Sequence, residues 1–277
     1  MSKIKKILIA LTKLITQPKT SLLTLLAHTQ DGDYKRYINQ KYNIDRLPTV
    51  SILDLFDAQE LTQTISNYTY LEGASLPTDL LLLKLLAQQT PNKQCNFLEI
   101  GSWRGESIAN VAQLARQCTA LTLSKTQMLD MGFGSDFAQA HGVFSSHQTN
   151  IKTIYANSLH FDFKTLNDTF DLIFIDGDHH HHAVKSDTKN VFPLLKNEAS
   201  TLVWHDYTHG TEQPRYAVLA AILDGLPISA HINLYHIANT MCCIYTTKNL
   251  KKSYPNFPSN VETVFEITLK AKRFSKL

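Results

Sequence analysis

Short apolar segments alternate with amphipathic segments between residues 76 and 247. The apolar segments have the length and residue types of buried strands, whereas several segments between them repeat apolar residues with helical spacing. The predicted strands are 96–100, 120–124, 153–158, 170–176, 201–206, 233–238 and 240–247. This alternation predicts an α/β fold with a seven-stranded, mostly parallel sheet and helices on both faces. The last two strands follow each other too closely for a crossover helix, so the last strand is expected to be antiparallel.

The regions on either side of this pattern have a different character. Residues 1–75 combine helical patterns with polar connectors, and we interpret them as a helical N-terminal extension or cap. Residues 76–247 form the predicted α/β domain, whose first helix starts with Thr78 or Asp79 as the N-cap residue. Residues 248–277 are predicted to be a basic C-terminal tail.

The net charge of +3 hides an uneven distribution of charged residues. Residues 1–20 contain five lysines and no acid, and residues 246–277 contain seven basic and two acidic residues. Residues 21–245 therefore have a net charge of −7. An acidic body argues against a nucleic-acid-binding groove, which needs basic residues around the site. The basic N-terminus allows peripheral contact with an anionic membrane, and its apolar residues from Ile4 to Ile15 follow helical spacing. The alternative is a helix packed on the domain or a frayed terminus.

The cysteines and the hydropathy of the sequence indicate in which cellular compartment the protein is expected. The four cysteines have neither C-x-x-C spacing nor the density of a disulfide-rich domain, which favours reduced, packed thiols. No run of about 18 uncharged apolar residues predicts a membrane-spanning helix, and no signal peptide is recognisable. We therefore expect a cytoplasmic protein, which would be peripheral to the inner membrane surface if the basic N-terminus contacts it.

The turn after the first predicted strand has the sequence "LEIGSWRGES". In open α/β sheets this turn is the usual ligand cradle, and only glycine lets the backbone turn sharply and approach a ligand closely. Gly101 and Gly105 are four residues apart, unlike the G-x-G-x-x-G spacing of dinucleotide-binding proteins. Glu99, just before the turn, would repel a pyrophosphate but suits a ligand with an ammonium group. The turn therefore disfavours a nicotinamide cofactor.

With this turn, residues 95–247 resemble the class I S-adenosylmethionine-dependent methyltransferases, which have a Rossmann-like fold. The resemblance implies that S-adenosylmethionine is the cofactor. Its contacts would come from the glycine turn, from the end of the second strand, where Ser124 replaces the usual ribose-binding acid, and from the end of the third strand. The residues implied are Glu99, Gly101, Ser102, Gly105, Ser124, Asn157, Ser158 and Asp176. Gln127 is an alternative to Ser124 for the ribose contact.

The stretch "FIDGDHHHH" places four histidines behind two aspartates. Consecutive helical residues point about 100° apart, so His179 to His182 cannot bind one ion together, and we expect His180 and His181 to face solvent. Asp176, Asp178 and Asp206 lie at or near the ends of neighbouring strands. They are candidate helix caps or, because carboxylate oxygens suit Mg²⁺, a metal site to which His205 adds a ligand.

This arrangement is similar to the metal-dependent O-methyltransferases that modify sugar hydroxyls of antibiotics, where I-D-G-D is followed one strand later by D-D-Y. The comparison implies Asp176 and Asp206 as metal ligands and Asp178 as the general base, and Tyr207 continues the pattern. His205 replaces one acid of that pattern, which lowers the negative charge available to Mg²⁺. The metal is therefore Mg²⁺, another divalent ion, or none, and His179 is the alternative base because imidazole titrates near neutral pH.

The sequence thus favours an S-adenosylmethionine-dependent O-methyltransferase that acts on a small hydroxylated acceptor, such as a sugar or a glycosylated metabolite. The alternative is a non-catalytic cofactor-binding or scaffold module at a membrane surface, which the unusual Ser124 and His205 keep open. Trp103 and Trp204 are candidates for stacking on adenine or on the acceptor, although large aromatic residues at strand ends more often belong to the core.

Overall fold

The computed structural model describes Thr16 and residues 31–274. The strands are β1 (Thr49–Val50), β2 (Asn96–Ile100), β3 (Gln117–Thr122), β4 (Ile151–Tyr155), β5 (Leu172–Ile175), β6 (Thr201–Trp204), β7 (Thr208–His209), β8 (Gln213–Pro214), β9 (Leu234–Ile237) and β10 (Cys243–Tyr245). The α-helices are α1 (31–42), α2 (Ile52–Phe56), α3 (Pro77–Gln88), α4 (Glu106–Val111), α5 (Lys125–Asp130), α6 (Ser135–Gln139), α7 (His181–Val191) and α8 (Tyr216–Gly225). Short 3-10 helices lie at Pro91–Lys93, Ser158–His160, Phe163–Leu166, Phe192–Leu194 and Ile228–Asn233.

Eight strands form one sheet in the order β1-β9-β10-β6-β5-β2-β3-β4, and β7 pairs with β8 in a separate hairpin. Strand β10 is antiparallel to both of its neighbours, whereas the other pairs of the large sheet are parallel. The prediction of a mostly parallel sheet with an antiparallel last strand is confirmed. The eighth strand, β1, was not predicted, because two residues are too few to produce an alternating pattern.

Helices cover both faces of the sheet. Because successive residues of a strand point to opposite faces, Leu98 and Ile100 pack in one core with residues of α1, α7 and α8. Phe97 packs in the other core with residues of α2, α3 and α4. The central strands are therefore buried on both faces, which explains their nearly continuous apolar sequences.

The start of α3 differs from the prediction. Its N-cap residue is Leu76, and Pro77 occupies the first turn, where the missing N–H of proline has no helical partner to lose. Asp79 is instead the third residue of the helix, and its Oδ2 accepts a hydrogen bond of 2.7 Å from the backbone N–H of Leu76. The prediction of Thr78 or Asp79 as the N-cap residue was wrong.

The strand register brings the carboxyl ends of three neighbouring strands together. Ile100 of β2 pairs with Ile175 of β5, and Ile175 pairs with Trp204 of β6. The residues that follow these three are Gly101, Asp176 and His205. They therefore lie side by side at the edge of the sheet where open α/β folds bind their ligands.

Two findings concern membrane contact. No helix within the described residues is long and apolar enough to cross a membrane. The apolar residues from Ile4 to Ile15 lie outside the described residues, so the membrane contact of the N-terminus stays a prediction.

Candidate active site

The turn between β2 and α4 requires glycine at two positions. Gly101 has a φ of +90°, and a Cβ atom there would lie 2.3 Å from the Cα atom of Gly177. Gly105 has a φ of +82°, and a Cβ atom there would lie 2.5 Å from Oγ of Ser145. Both positions combine a backbone conformation that favours glycine with a neighbour too close for any side chain.

Glu99 lies directly before this turn and is fully buried. Among the described residues, no hydrogen bond of good geometry reaches its carboxylate oxygens or Oγ of buried Ser102, although the nearby hydroxyls of Ser107 and Ser102 act to lower the pKa of Glu99. Burial, together with the negative charge of Asp176, raises the pKa of Glu99 from 4.5 to about 8. Buried polar groups are normally paired, so these atoms fit a ligand that brings an ammonium group or other donors to the turn.

We expect Glu99→Gln to make the folded protein more stable at high pH and to weaken its binding of the ligand. Because the folded protein holds the proton of Glu99 up to about pH 8 and the unfolded chain only up to about pH 4.5, folding takes up a proton between these values. The free energy of unfolding should therefore fall more steeply in the wild type than in the variant as the pH rises through this window. Denaturant unfolding at about pH 5 and about pH 9 measures the difference.

The same substitution should weaken binding of S-adenosylhomocysteine, measured by calorimetry, because an ammonium group at this position would favour the ionised form of Glu99, and glutamine cannot ionise. Equal pH dependence of the two proteins would contradict the raised pKa of Glu99, whereas unchanged affinity would remove Glu99 from the ligand site.

The predicted adenosine-binding residues cap short helices at the ends of β3 and β4. Ser124 is the N-cap residue of α5: its Oγ accepts a 3.2 Å hydrogen bond from the N–H of Gln127, while its own N–H donates to Gln127 Oε1 at 2.8 Å. Asn157 Oδ1 accepts a hydrogen bond from the N–H of Leu159, and Ser158 begins the 3-10 helix there. Since Ser124 and Gln127 bind each other through these groups, the Ser124 hydroxyl hydrogen and the side-chain amide hydrogens of Gln127 are the donors that could contact a ribose. These contacts with a cofactor stay predictions.

Asp176, His205 and Asp206 converge at the carboxyl edge of the sheet. His205 Nδ1 lies 3.1 Å from Oδ1 of Asp176 and 3.3 Å from Oδ2 of Asp206, and neither approach has the geometry of a hydrogen bond. One ligand atom from each of the three residues lies within 4.8 Å of the others. Asp206 has a φ of +58°, an uncommon conformation for a residue other than glycine and one that occurs at functional sites.

The charges of these three groups depend on one another. Burial alone would lower the pKa of His205, but the carboxylates of Asp176, Asp206 and Asp79 raise it well above its usual value. Burial raises the pKa of Asp176. Burial acts in the same sense on Asp206, yet the close approach and charge of His205, together with the charge of Arg215, outweigh it and lower that pKa to about 2. A positive charge between the two carboxylates therefore stabilises the cluster. Either a protonated His205 or a divalent metal would supply that charge.

The two candidate bases face different partners. Asp178 Oδ1 accepts a hydrogen bond of 2.9 Å from the N–H of His180 and also contacts the His180 ring. Although burial raises the pKa of Asp178, these interactions with His180 lower it further than burial raises it. His179 is more than half exposed, and its Nδ1 lies 4.0 Å from Oδ2 of Asp206. The structure thus brings His179, rather than Asp178, next to the acid cluster.

The remaining histidines of the run have separate roles. His180 is the N-cap residue of α7, and its side chain is 70% exposed, as expected. The expectation for His181 was wrong. Its side chain is only 21% exposed, because it stacks on Tyr34 of α1 at a centroid distance of 5.1 Å and its Nε2 lies 3.1 Å from Asp224 Oδ2. Helix α1 therefore covers this position.

The large aromatic residues of the strand ends are structural. Trp204 is fully buried, and its Nε1–H donates to Oγ1 of Thr188 at 2.8 Å. Tyr207 is also buried, and its hydroxyl oxygen accepts a 3.0 Å hydrogen bond from the N–H of Leu47. Trp103 stacks on Phe137 of α6 at a centroid distance of 4.0 Å and donates to its carbonyl oxygen. Trp103 therefore fixes the segment that carries α6 against the glycine turn.

Sequence reasoning missed two residues that contact the acid cluster. Asp79 is fully buried, and its Oδ2 lies 3.1 Å from Nε2 of His205. Arg215, the N-cap residue of α8, places Nη1 3.2 Å from Oδ1 of Asp206. An aspartate near a helix start is so common that Asp79 gave no functional signal, and Arg215 stands in no motif.

Residues 98–207 match a family model described as a methyltransferase domain. No curated protein matches the sequence. Among solved structures, an O-methyltransferase from Bacillus cereus in complex with SAH is 15% identical, with a TM-score of 0.46 over 71% of this chain and 98% of that chain. The O-methyltransferase TomG from Streptomyces achromogenes, in complex with SAM, is 15% identical, with a TM-score of 0.41 over 71% and 86%. CalS11, a TDP-rhamnose 3′-O-methyltransferase of calicheamicin biosynthesis, is 14% identical, with a TM-score of 0.44 over 62% and 80%.

The matched segment runs from β2 to the residue after Asp206, so it contains the glycine turn and the acid cluster. The sheet order, with an antiparallel strand β10 inserted between β6 and β9, and the unpaired groups at the glycine turn agree with this match. Over residues 98–207, the chain is therefore similar to the methyltransferase-domain family.

Proposed function

We propose that this protein is an S-adenosylmethionine-dependent methyltransferase that acts on a hydroxyl group of a small acceptor, with a sugar or a glycosylated metabolite as the favoured class. The observation that carries the proposal is the convergence of Asp176, His205 and Asp206, with His179 beside them. An alcohol must lose its proton to become a good nucleophile, and this cluster combines a candidate base with groups that bind a cation. A polyhydroxylated acceptor offers the oxygen atoms that such a cation binds.

The glycine turn would bind the methionine portion of the cofactor, with Glu99 facing its ammonium group and Ser102 donating or accepting a hydrogen bond. Ser124, Asn157 and Ser158 are the proposed contacts of the adenosine. When bound, S-adenosylmethionine supplies an electrophilic methyl group. The contribution of these residues is to hold it in line with the acceptor oxygen, which lowers the entropic part of the barrier.

His179 is the proposed general base. Its Nδ1 lies 4.0 Å from Oδ2 of Asp206, so the ring that would accept the proton of the acceptor hydroxyl borders the acid cluster. Asp178, which the family resemblance first favoured, is the weaker choice because its lowered pKa and its hydrogen bonds to His180 reduce its basicity.

Asp176, His205 and Asp206 are the proposed ligands of a divalent metal, Mg²⁺ or another ion. The observation that supports a metal at these residues is the position of His205 Nδ1, a buried nitrogen that faces both carboxylates without a hydrogen bond to either. When bound, the ion would polarise the acceptor hydroxyl. Arg215 would balance part of the remaining charge of Asp206.

Calorimetric titration with S-adenosylhomocysteine, with a divalent metal and then with a chelator, tests the cofactor and metal sites. Transfer of labelled methyl from S-adenosylmethionine to sugars and glycosylated compounds then tests the acceptor class. We expect micromolar binding and metal-dependent transfer to a hydroxyl oxygen. Binding without transfer to any hydroxylated compound would favour the non-catalytic cofactor-binding module instead.

The finer statements on organisation remain proposals. We propose a helical extension (1–75), a methyltransferase domain (76–247) and a basic tail (248–277). A reducing compartment is proposed because all four cysteines are buried and unpaired. Contact of the basic N-terminus with an anionic membrane is proposed from the sequence, and the acidic body leads us to propose no nucleic-acid partner.

A further inference from the structure

We infer that Asp79 is a positioning residue of this site, which holds the His205 ring with Nδ1 turned toward Asp176 and Asp206. The inference deepens the proposed function, and it rests on that function for the metal that Nδ1 would bind. The orientation of the ring itself is independent of any metal.

The Asp79 carboxylate is held from two sides. Oδ2 accepts a 2.7 Å hydrogen bond from the N–H of Leu76 at the start of α3, and Oδ1 accepts a 2.8 Å hydrogen bond from the N–H of Met241, just before β10. The side chain is fully buried. Because both donors belong to the backbone of packed elements, the carboxylate has one fixed position, and Oδ2 presents its remaining acceptor capacity to Nε2 of His205 at 3.1 Å.

This contact determines which nitrogen of His205 faces the acids. A carboxylate accepts hydrogen bonds, so Nε2 carries a hydrogen, and Nδ1 is the nitrogen that would bind a cation in place of its own proton. Histidines that bind metals commonly donate their second ring N–H to a carboxylate, which fixes the ring and strengthens the ligand. Without Asp79, rotation of the ring would present a carbon atom to Asp176 and Asp206.

Asp79 also changes the charge of the site. His205 would be a neutral ligand at a position where the resembling sequences have an acid. The buried Asp79 carboxylate beside its Nε2 restores the negative charge that this replacement removes. A nitrogen ligand with two carboxylates suits ions such as Mn²⁺ and Co²⁺ better than Mg²⁺, which prefers oxygen ligands alone. We therefore expect the site to bind Co²⁺ more tightly than Mg²⁺.

Titration of the full-length protein with Co²⁺, followed by calorimetry and by visible absorption, tests the inference in a double-mutant cycle. Asp79→Asn should raise the Kd of Co²⁺ by about 10–100-fold in the wild-type background and by less than about twofold in a His205→Ala background. Equal losses in the two backgrounds, or no loss in either, would overturn the inference. Asp79→Ser, whose hydroxyl can still accept from a backbone N–H but is too short to reach His205, serves if Asp79→Asn does not fold.

Metal-free crystal structures of the wild type and of Asp79→Ser separate this inference from the proposed function. We expect His205 Nδ1 to face Asp176 in the wild type and the ring to turn away in the variant. An unchanged ring in the variant would overturn the positioning role. If the wild type shows the expected ring orientation but binds no Co²⁺, the positioning role stands and the proposed metal does not.

Discussion

Gly101→Ala should abolish measurable binding of S-adenosylhomocysteine and lower the free energy of unfolding by about 3 kcal/mol or more. A φ of +90° is strained for alanine, and its Cβ would lie 2.3 Å from Gly177 Cα and 2.4 Å from the carbonyl oxygen of Asp176. Backbone atoms at the end of β5 cannot move away without displacing Asp176 itself. The substitution therefore disturbs the cofactor turn and the acid cluster together. Calorimetry and urea unfolding measure the two effects.

Gly132→Ala is the matched control. Gly132 has nearly the same backbone conformation, with a φ of +88°, but a Cβ atom there meets nothing within 4 Å. We expect a loss of only about 1–2 kcal/mol from backbone strain and unchanged affinity for S-adenosylhomocysteine. If both substitutions cost the same stability and leave the affinity intact, the close approach of Gly101 to Gly177 has no functional importance.

His179→Gln should lower the turnover number by a factor on the order of 10²–10⁴ and change the affinity for S-adenosylhomocysteine by less than about threefold. The reason is that glutamine preserves a polar side chain beside Asp206 but cannot accept the acceptor's proton. Single-turnover transfer of labelled methyl measures the chemical step directly.

Two variants make this result specific. His180→Gln changes the neighbouring, 70% exposed ring that contacts Asp178, and it should leave turnover within about threefold of the wild type. Asp178→Asn should reduce turnover less than His179→Gln does. Intact turnover in His179→Gln together with its loss in Asp178→Asn would return the role of base to Asp178, as the family resemblance first implied.

The mostly parallel character of the sheet and the edge where the site forms follow from local properties of the sequence. Apolar segments of strand length and helical repeats are set by near neighbours, and parallel strands place their carboxyl ends at one edge. For this reason Gly101, Asp176 and Asp206 were predictable as a group. The role of glycine at position 101 was also predictable, because few other residues allow the backbone to turn sharply directly after a buried strand.

The partners of the histidines were decided by the tertiary structure alone. His205 meets Asp79, which lies 126 residues earlier, and His181 is covered by Tyr34 of α1. No local pattern marks such pairs, since each residue also has an ordinary local explanation: Asp79 at a helix start, and His181 in the first turn of α7. The sequence by itself thus determined the sheet and the edge that carries the chemistry. Packing of α1 decided that His181 is covered. Packing of α3 and of the turn before β10 fixed the Asp79 carboxylate, and that carboxylate decided which ring nitrogen of His205 faces the acids.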